Sequence, residues 1–201
     1  MRTVAIVSQK GGSGKTTIAV HLAVCAERAG KPTLILDLDP QGSALAWLKR
    51  RGDDVPEVIA TDAGKLAGML AKAQEGGAGL VIIDTAPHYD RAAAVASQRA
   101  DLVLIPCRPA AFDVDAIAST LHMTQLANAK TAIVLNAIPT RGTYAKEVGD
   151  ALGQIATVAP VNLYQRAAYC NAVNDGRSVE EYEPKGRAAE EIKALYKWVM
   201  K

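Results

Sequence analysis

A run of glycines and lysines near the N-terminus, "SQKGGSGKTT" at residues 8–17, has the composition of a phosphate-binding loop. It follows a short apolar segment and precedes a stretch that favours a helix, which is the context in which such loops occur. Glycines let backbone N–H groups approach phosphate oxygens, and a helix N-terminus adds partial positive charge. A plain glycine-rich turn is the alternative, but it has no need of Lys-Thr-Thr at this spacing. The predicted nucleotide-binding residues here are Gly11, Gly12, Ser13, Gly14, Lys15, Thr16 and Thr17.

Within this loop, Lys15 and Thr16 have different expected tasks. The Lys15 ammonium would bridge the terminal phosphates of a nucleotide, and the Thr16 hydroxyl would hold Mg²⁺. The expected cofactors are therefore ATP or ADP and Mg²⁺.

Carboxylates follow two later apolar runs, in "LILDLDPQG" at residues 34–42 and "LVIIDTAPHYD" at residues 80–90. Strand ends of this kind lie beside the phosphate loop in an open α/β sheet. Asp84 is predicted to reach Mg²⁺ through a water, because Mg²⁺ keeps much of its hydration. Asp37 and Asp39 would share a strand face, although Pro40 turns the chain and separates their roles. Helix capping or pairing with nearby lysines is the alternative for these carboxylates.

The elements that must position these groups are indicated by five continuously apolar runs separated by alanine-rich stretches. Continuous rather than alternating runs are typical of strands covered on both faces, so we predict a doubly wound, mostly parallel α/β sheet flanked by helices. The predicted strands are Val4 to Val7, Thr33 to Leu36, Leu80 to Ile83, Leu102 to Ile105 and Thr131 to Leu135. The predicted helices are Lys15 to Ala29, Ser43 to Arg51, Ala63 to Ala73, Asp113 to Leu126, Tyr144 to Leu152 and Arg187 to Met200.

Composition narrows the class of protein. With 201 residues, 49% of them apolar, the chain is expected to form one domain over residues 1–201. A net charge of +2 means that any nucleic-acid contact must come from local clusters of Lys and Arg. Three widely spaced cysteines disfavour a disulfide framework and a zinc site. The lack of a signal-peptide pattern or long apolar span predicts a soluble, cytoplasmic protein.

The loop departs from the common spacing G-x-x-x-x-G-K-[ST], because Gln9 stands where the first glycine would be. With Lys10 in front, "KGGSGKTT" resembles the deviant loop K-G-G-x-x-K-[ST] of the ParA, MinD and nitrogenase iron protein superfamily. The resemblance implies that Lys10 crosses a two-fold axis to the phosphates held by a second subunit. Catalysis then depends on association, since a partner supplies part of the positive charge. A solvated surface lysine is the alternative.

The likeness continues in "ADLVLIPCRPAAFDVDAI", "IVLNAI" and "YQRAAYCNAVNDGRSVEEY", and the length resembles small ParF-like partition ATPases without an N-terminal helix-turn-helix extension. It implies that Asp39 activates the attacking water and that Asp37 organises the outer Mg²⁺ shell and the phosphate loop. Residues Thr85 to Asp90 would form the second switch segment. The implied adenine contacts are Asn136 and, more loosely placed, Pro160, Val161 and Asn162.

The same resemblance implies partners. An ATP-sandwich homodimer would bind double-stranded DNA without sequence preference, lie on the nucleoid, and be stimulated by a ParB-like or small centromere-binding adaptor. Such DNA affinity comes from phosphate contacts and counterion release. The candidate DNA contacts are Arg166, Lys185, Arg187, Lys193 and Lys197. The alternative for the last helix is an ordinary solvated face opposite an apolar one.

Three other classes of function compete. A MinD-like ATPase would use the amphipathic last helix on a membrane, although its apolar face is expected to be needed for the core. A metabolic transferase of the dethiobiotin synthetase type would use ATP on a small substrate. An iron–sulfur protein is disfavoured because Thr85 to Arg91 contains no cysteine.

Overall fold

The computed structural model describes residues 1–87, 91–142 and 144–201, without the side chains of residues 111–115 and 144. Its strands are β1 (Arg2–Ile6), β2 (Thr33–Asp37), β3 (Glu57–Ala60), β4 (Leu80–Asp84), β5 (Leu102–Cys107) and β6 (Thr131–Leu135). Its helices are α1 (Lys15–Arg28), α2 (Ser43–Arg51), α3 (Leu66–Glu75), α4 (Arg91–Arg99), α5 (Ala111–Leu126), α6 (Tyr144–Gly153), α7 (Ala167–Asn174), α8 (Val179–Tyr182) and α9 (Arg187–Val199).

The six strands form one parallel sheet in the order β3-β2-β4-β1-β5-β6. All residues of β2, β4 and β5 are buried, as continuously apolar runs covered on both faces require. The predicted doubly wound α/β fold is confirmed. Because β1 lies between β4 and β5, the loop that follows β1 sits at the point where the strand order reverses.

Successive strand residues point to opposite faces and build two separate cores. Val4 and Ile6 join a core with α1, α2, α7, α8 and α9, whereas Ala5 and Val7 join a core with α3, α4, α5 and α6. Helix α9 lies on α1 in the first core, with Ile192, Leu195 and Val199 at most 1% exposed.

All predicted elements are present, but the sequence patterns missed four: β3, α4, α7 and α8. Strand β3 is short and its burial is interrupted, so it lacks the continuous apolar run that marks the others. Helix α3 begins at Leu66 rather than at Ala63. The reason is a turn in which the Asp62 carboxylate accepts bonds from the N–H groups of Gly64, at 2.9 Å, and Lys65, at 3.2 Å.

Beyond β6, an extended segment runs alongside the edge of the sheet. The N–H of Ala159 donates to Ile133, that of Leu163 to Leu135 and that of Gln165 to Ile138, over 2.8, 2.9 and 2.7 Å. This pairing covers the β6 edge and carries the chain to the same end of the sheet as the phosphate loop. Within the described part of the chain, no helix has the length and apolarity needed to cross a bilayer.

A buried histidine in α1 gives the fold a pH-dependent stability. His21 has no exposed surface, and burial lowers its pKa to about 3. Its Nδ1 accepts a hydrogen bond from the N–H of Val179 at 3.3 Å, so the neutral ring is the form that the core holds. The ordinary pKa of a histidine is about 6.5. Between about pH 6.5 and pH 3, His21 is therefore protonated in the unfolded chain but neutral in the folded chain.

We therefore predict that His21 makes the protein less stable as pH falls from 6.5 towards 3, by about 1–2 kcal/mol between pH 6.5 and 5. Urea unfolding followed by circular dichroism at several pH values measures this. The comparison is His21→Asn, which keeps a hydrogen-bond acceptor but does not titrate. Both proteins contain the same carboxylates, so the pH dependence that these contribute cancels in the difference between the two stability curves. Parallel stability curves for the two proteins would contradict the prediction.

Candidate nucleotide-binding site

The phosphate loop joins β1 to α1 and is held in shape by its own lysine. The Lys15 ammonium donates to the carbonyl oxygens of Ser8 at 3.2 Å and Lys10 at 3.4 Å. Lys15 is buried, and this burial lowers its pKa, while the carboxylates of Asp84 and Asp39 act in the opposite direction. The carbonyl oxygens of the loop therefore surround the Lys15 ammonium.

The position of Gly14 has no room for a side chain. Its φ of 97° lies in the left-handed region, and a Cβ there would stand 2.2 Å from Nδ2 of Asn136. That same Nδ2 donates to the carbonyl of Ser13 at 2.7 Å. With this carbonyl held from outside, the loop can turn N–H groups towards a phosphate. Asn136, predicted to contact adenine, thus also supports the phosphate loop.

Two carboxylates and a hydroxyl meet beside the loop. Asp37 and Asp84 are direct partners in the pairing of β2 with β4, so their side chains leave the sheet at the same level. The Thr16 hydroxyl donates to Oδ2 of Asp84 at 2.6 Å, whereas Oδ1 of Asp84 is buried without a hydrogen-bond partner in the described residues. An orphaned carboxylate oxygen next to a threonine hydroxyl is the donor chemistry that suits Mg²⁺, which takes its remaining ligands from water and phosphate.

Burial raises the pKa of Asp84 to about 7, and the neighbouring Asp37 adds to the effect, while the Thr16 hydroxyl opposes it. Two carboxylates this close disfavour each other's ionised form. A divalent cation would remove that repulsion and keep Asp84 ionised. The electrostatics thus agree with a metal ion beside Thr16 and Asp84.

Asp37 and Asp39 have distinct surroundings, as the proline between strand and helix suggested. Asp37 is buried and accepts hydrogen bonds from the N–H groups of Asp39 at 3.1 Å, Ala44 at 3.1 Å and Leu45 at 3.3 Å. It therefore supplies the cap that Gly42 cannot give to α2. Burial nonetheless raises its pKa. Asp39 is only half-buried and lines the cavity, and within the described part of the chain its carboxylate accepts one hydrogen bond, from the N–H of Gln41 at 2.9 Å.

A cavity of about 720 Å³ opens at the phosphate loop. Of the predicted residues, it is lined by Gly12, Gly14, Lys15, Thr16, Thr17, Asp39, Asn136 and Arg166. The lining residues that sequence reasoning missed include Trp47 and Arg50 of α2, Arg108 after β5, and Tyr164, Gln165, Tyr169 and Cys170 in the C-terminal part. The residues of the C-terminal part belong to the block "YQRAAYC", which carries the family resemblance, but no spacing rule identifies which of its side chains face the cavity.

One carboxylate from α9 organises the far wall of this cavity. Glu191 accepts hydrogen bonds from Nε and Nη2 of Arg166 at 2.8 and 2.6 Å, from the N–H of Tyr164 at 3.1 Å and from the Tyr169 hydroxyl at 3.0 Å. Arg166 also lies over the Tyr164 ring, with its central carbon 5.3 Å from the ring centroid. Glu191 and Arg166 are 11% and 21% exposed, so solvent screens this pair only partly.

Other predicted residues lie elsewhere. Pro160, Val161 and Asn162 are outside the lining of the main cavity, and Asn162 instead lines a second cavity near α6. The extended pairing with β6 brings the chain to the main cavity only from Tyr164 onward. Lys10 is half-buried at the front of the loop, and residues 88–90 of the second switch segment lie outside the described residues.

The five candidate DNA contacts divide into two groups. Arg166 is paired with Glu191, and Lys193 is paired with the buried Glu180 at 3.2 Å. Lys185, Arg187 and Lys197 are exposed and form no ion pair within the described part of the chain. Only this second group offers its charge wholly to solvent.

The cysteines are free, with Cys25 and Cys107 buried and Cys170 exposed. Among the described residues, no group of three or more Cys, His, Asp and Glu side chains is arranged to hold a metal.

The comparison with known families agrees with the observed fold. Residues 4–178 match the model of the CobQ/CobB/MinD/ParA nucleotide binding domain. The chain belongs to this family. Its CobQ/CobB/MinD/ParA domain therefore accounts for the phosphate loop, and the resemblance to ParA-type ATPases is confirmed.

Curated relatives include two called Maintenance of carboxysome distribution protein A. The one from Halothiobacillus neapolitanus is 30% identical over 204 residues, covering 96% of this chain and 94% of the relative. The one from Gloeobacter kilaueensis is 38% identical over 136 residues, covering 67% and 62%. Soj of Bacillus subtilis, a sporulation initiation inhibitor protein, is 32% identical over 126 residues, covering 54% and 50%.

Solved structures share the fold at lower identity. MinD in the MinC:MinD complex of Aquifex aeolicus superposes with a TM-score of 0.82 and 16% identity over 100% of this chain and 96% of that one. MinD with Mg-ADP from Pyrococcus horikoshii gives a TM-score of 0.74 and 18% identity over 98% and 95%. These likenesses establish the architecture of the CobQ/CobB/MinD/ParA domain.

We predict that Glu191→Gln weakens the binding of both ATP and ADP about threefold to tenfold. Glutamine keeps the shape but loses the charge that holds Arg166, Tyr164 and Tyr169 on the cavity wall. Isothermal titration calorimetry measures the two affinities. Glu190→Gln, an exposed neighbour on the same helix, is the matched control and should change neither affinity. Unchanged affinities for ATP and ADP in Glu191→Gln would mean that this wall of the cavity takes no part in nucleotide binding.

Proposed function

We propose that this chain is a Mg²⁺-dependent positioning ATPase that pairs with a second copy around bound ATP and distributes a large cargo. The observation that carries the proposal is the meeting of Thr16, Asp84 and Asp37 beside a phosphate loop whose lysine is already enclosed. A turn that merely joined strand to helix would have no reason to bury two acids and a lysine together, because each isolated charge costs free energy to bury.

The roles of the chain's own groups follow from their positions. Loop N–H groups and Lys15 would bind the phosphates, and the wall of Tyr164, Arg166 and Asn136 would hold the rest of the nucleotide. Mg²⁺, bound by Thr16 and through water by Asp84, would neutralise charge on the phosphate oxygens. The half-buried Asp39 would orient the attacking water, since its carboxylate lines the cavity with one accepted hydrogen bond among the described residues. Asp37 would hold the Asp39 segment by capping α2.

Lys10 is the residue proposed to make hydrolysis depend on a partner. It stands at the front of the loop, and its backbone carbonyl already contacts the Lys15 ammonium. A cation supplied across a two-fold axis would add positive charge to each triphosphate only when two subunits meet. ATP would then act as a timer for association.

The proposed cellular role is the positioning of a plasmid, a chromosome region or another large body on nonspecific DNA, through a ParB-like or small DNA-binding adaptor. Support comes from the ParA-type relatives, among them two named for the distribution of carboxysomes. The exposed Lys185, Arg187 and Lys197 near and along α9 supply a basic surface for DNA phosphates.

A membrane-associated role of the MinD kind is the second candidate, favoured by the fold likeness to MinD. It would need a free apolar face on the last helix. In α9 the apolar residues Ile192, Leu195 and Val199 are buried against the first core, which supports DNA rather than lipid as the surface that is bound. Cosedimentation with anionic liposomes and with DNA, with and without ATP, distinguishes the two.

We predict that Lys10→Ala lowers ATP hydrolysis at least tenfold and abolishes ATP-dependent pairing, because a charge that stabilises the transition state is lost. Phosphate release measures hydrolysis, and light scattering measures pairing. The control is Lys72→Ala, at an exposed position of α3. Mixing Lys10→Ala with Lys15→Ala should restore activity, since each mixed pair contains one complete site. If hydrolysis and pairing survive in Lys10→Ala, the dimer mechanism is wrong.

We also predict that reversing Lys185, Arg187 and Lys197 together to Glu weakens ATP-dependent DNA binding and flattens its salt dependence. These residues are exposed, so the change should leave the fold intact, whereas reversing Lys193 would also strip the buried Glu180 of its partner. Electrophoretic mobility shifts at several salt concentrations measure the affinity, with Lys72→Glu as the matched control. Equal salt slopes in all three proteins would place the DNA surface elsewhere.

A further inference from the structure

Arg108 is the first residue after β5, and the sheet brings it to the phosphate loop. Strand β5 pairs directly with β1, with Leu104 opposite Ile6. The carbonyl of the preceding Cys107 accepts the N–H of Asn136 at 2.8 Å, which fixes the backbone at this point. The Arg108 guanidinium then reaches across to the loop, where Nη2 donates to the carbonyl oxygen of Gly12.

Two loop carbonyls are therefore held by side chains from neighbouring strand ends. Arg108 binds that of Gly12, and Asn136 binds that of Ser13. Asparagine suffices for this task, since a neutral amide donor satisfies a carbonyl. A guanidinium has five N–H donors and a permanent positive charge. The contact with the Gly12 carbonyl uses one of these donors.

The surroundings leave that charge available to the cavity. Arg108 lines the cavity together with Lys15, Asp39 and Pro87, and it is exposed. None of the described carboxylates forms an ion pair with it. Arg51 and Arg166, by contrast, are each committed to a glutamate.

We propose that Arg108 is a further catalytic residue, whose guanidinium contacts the terminal phosphate of ATP while it holds the Gly12 carbonyl. This inference rests on the proposed ATPase function. During hydrolysis a bond forms between water oxygen and the γ-phosphorus, and the bond from that phosphorus to the bridging oxygen breaks, leaving ADP. The water proton passes by way of Asp39 to solvent, and Arg108 stays protonated while stabilising the charge on the transferring group.

The competing role is a purely structural clamp on the loop. A clamp supports every nucleotide equally, because ADP and ATP use the same loop. A contact with the terminal phosphate instead favours ATP and its transition state over ADP. Comparing the two nucleotides therefore separates the two roles.

The test measures kcat and KM for ATP together with Kd for ADP in Arg108→Gln and Arg108→Lys. Glutamine keeps a donor for the Gly12 carbonyl but carries no charge, so we expect kcat to fall by about 10²–10³-fold with Kd for ADP changed less than about threefold. Lysine keeps the charge without the planar fork and should recover part of kcat. Arg99→Gln, exposed at the end of α4, is the control and should match the parent protein.

Two results would overturn the proposal. Equal losses of affinity for ATP and ADP with unchanged kcat would make Arg108 only a clamp, and unchanged kinetics in both variants would give it no part in the reaction. A parent protein that binds and hydrolyses no ATP would refute the proposed function itself, which is a different outcome. Circular dichroism on each variant establishes that it is folded.

Discussion

The pairing of β2 with β4 and of β4 with β1 sets the distances on which the candidate site depends. Parallel strands end at a common edge, and this register places Asp37 opposite Asp84 and Asp84 opposite Ile6, just before the phosphate loop. No loop flexibility is needed to bring the carboxylates to the loop, since the sheet does so. A shift of one residue in either pairing would turn a carboxylate into one of the cores, which hydrophobic burial forbids.

That arrangement concentrates opposed charges in a buried space. Asp84, Asp37 and Lys15 are all buried. Burial raises the pKa of each aspartate and lowers the pKa of the lysine, so it favours the uncharged form of all three. The chain offsets this cost locally, with loop carbonyls around Lys15, backbone N–H groups around Asp37 and the Thr16 hydroxyl on Asp84. Among the described residues, Oδ1 of Asp84 stays buried without a hydrogen-bond partner, so part of the negative charge of this group is left uncompensated there. A cation and a phosphate fit there in a way that an apolar ligand does not.

Much of this was predictable because the relevant signals are local. Continuous apolar runs identify the buried strands. The candidate binding and catalytic residues of the loop and the strand ends each lie within a few positions of such a run. Strand β3 and the cavity wall of Tyr164, Arg166 and Tyr169 were not predictable in this way. Tyr164, Arg166 and Tyr169 line the cavity because Glu191, about 25 residues later, binds all three, and no spacing rule records that. The assignment of Pro160, Val161 and Asn162 to adenine remains a prediction, although the main cavity begins only at Tyr164.

Lys193 and Lys197 illustrate the same limit on one helix. They are four residues apart, so a helical projection treats them as equivalent members of a basic face. Tertiary structure separates them, because Glu180 of α8 is buried beside Lys193 and takes its charge, while Lys197 stays in solvent. Charge that is already neutralised inside a protein contributes little to counterion release, since it attracts few phosphates. The basic residues that matter for a polyanion are therefore those without an internal acid, and that distinction follows from packing rather than from composition.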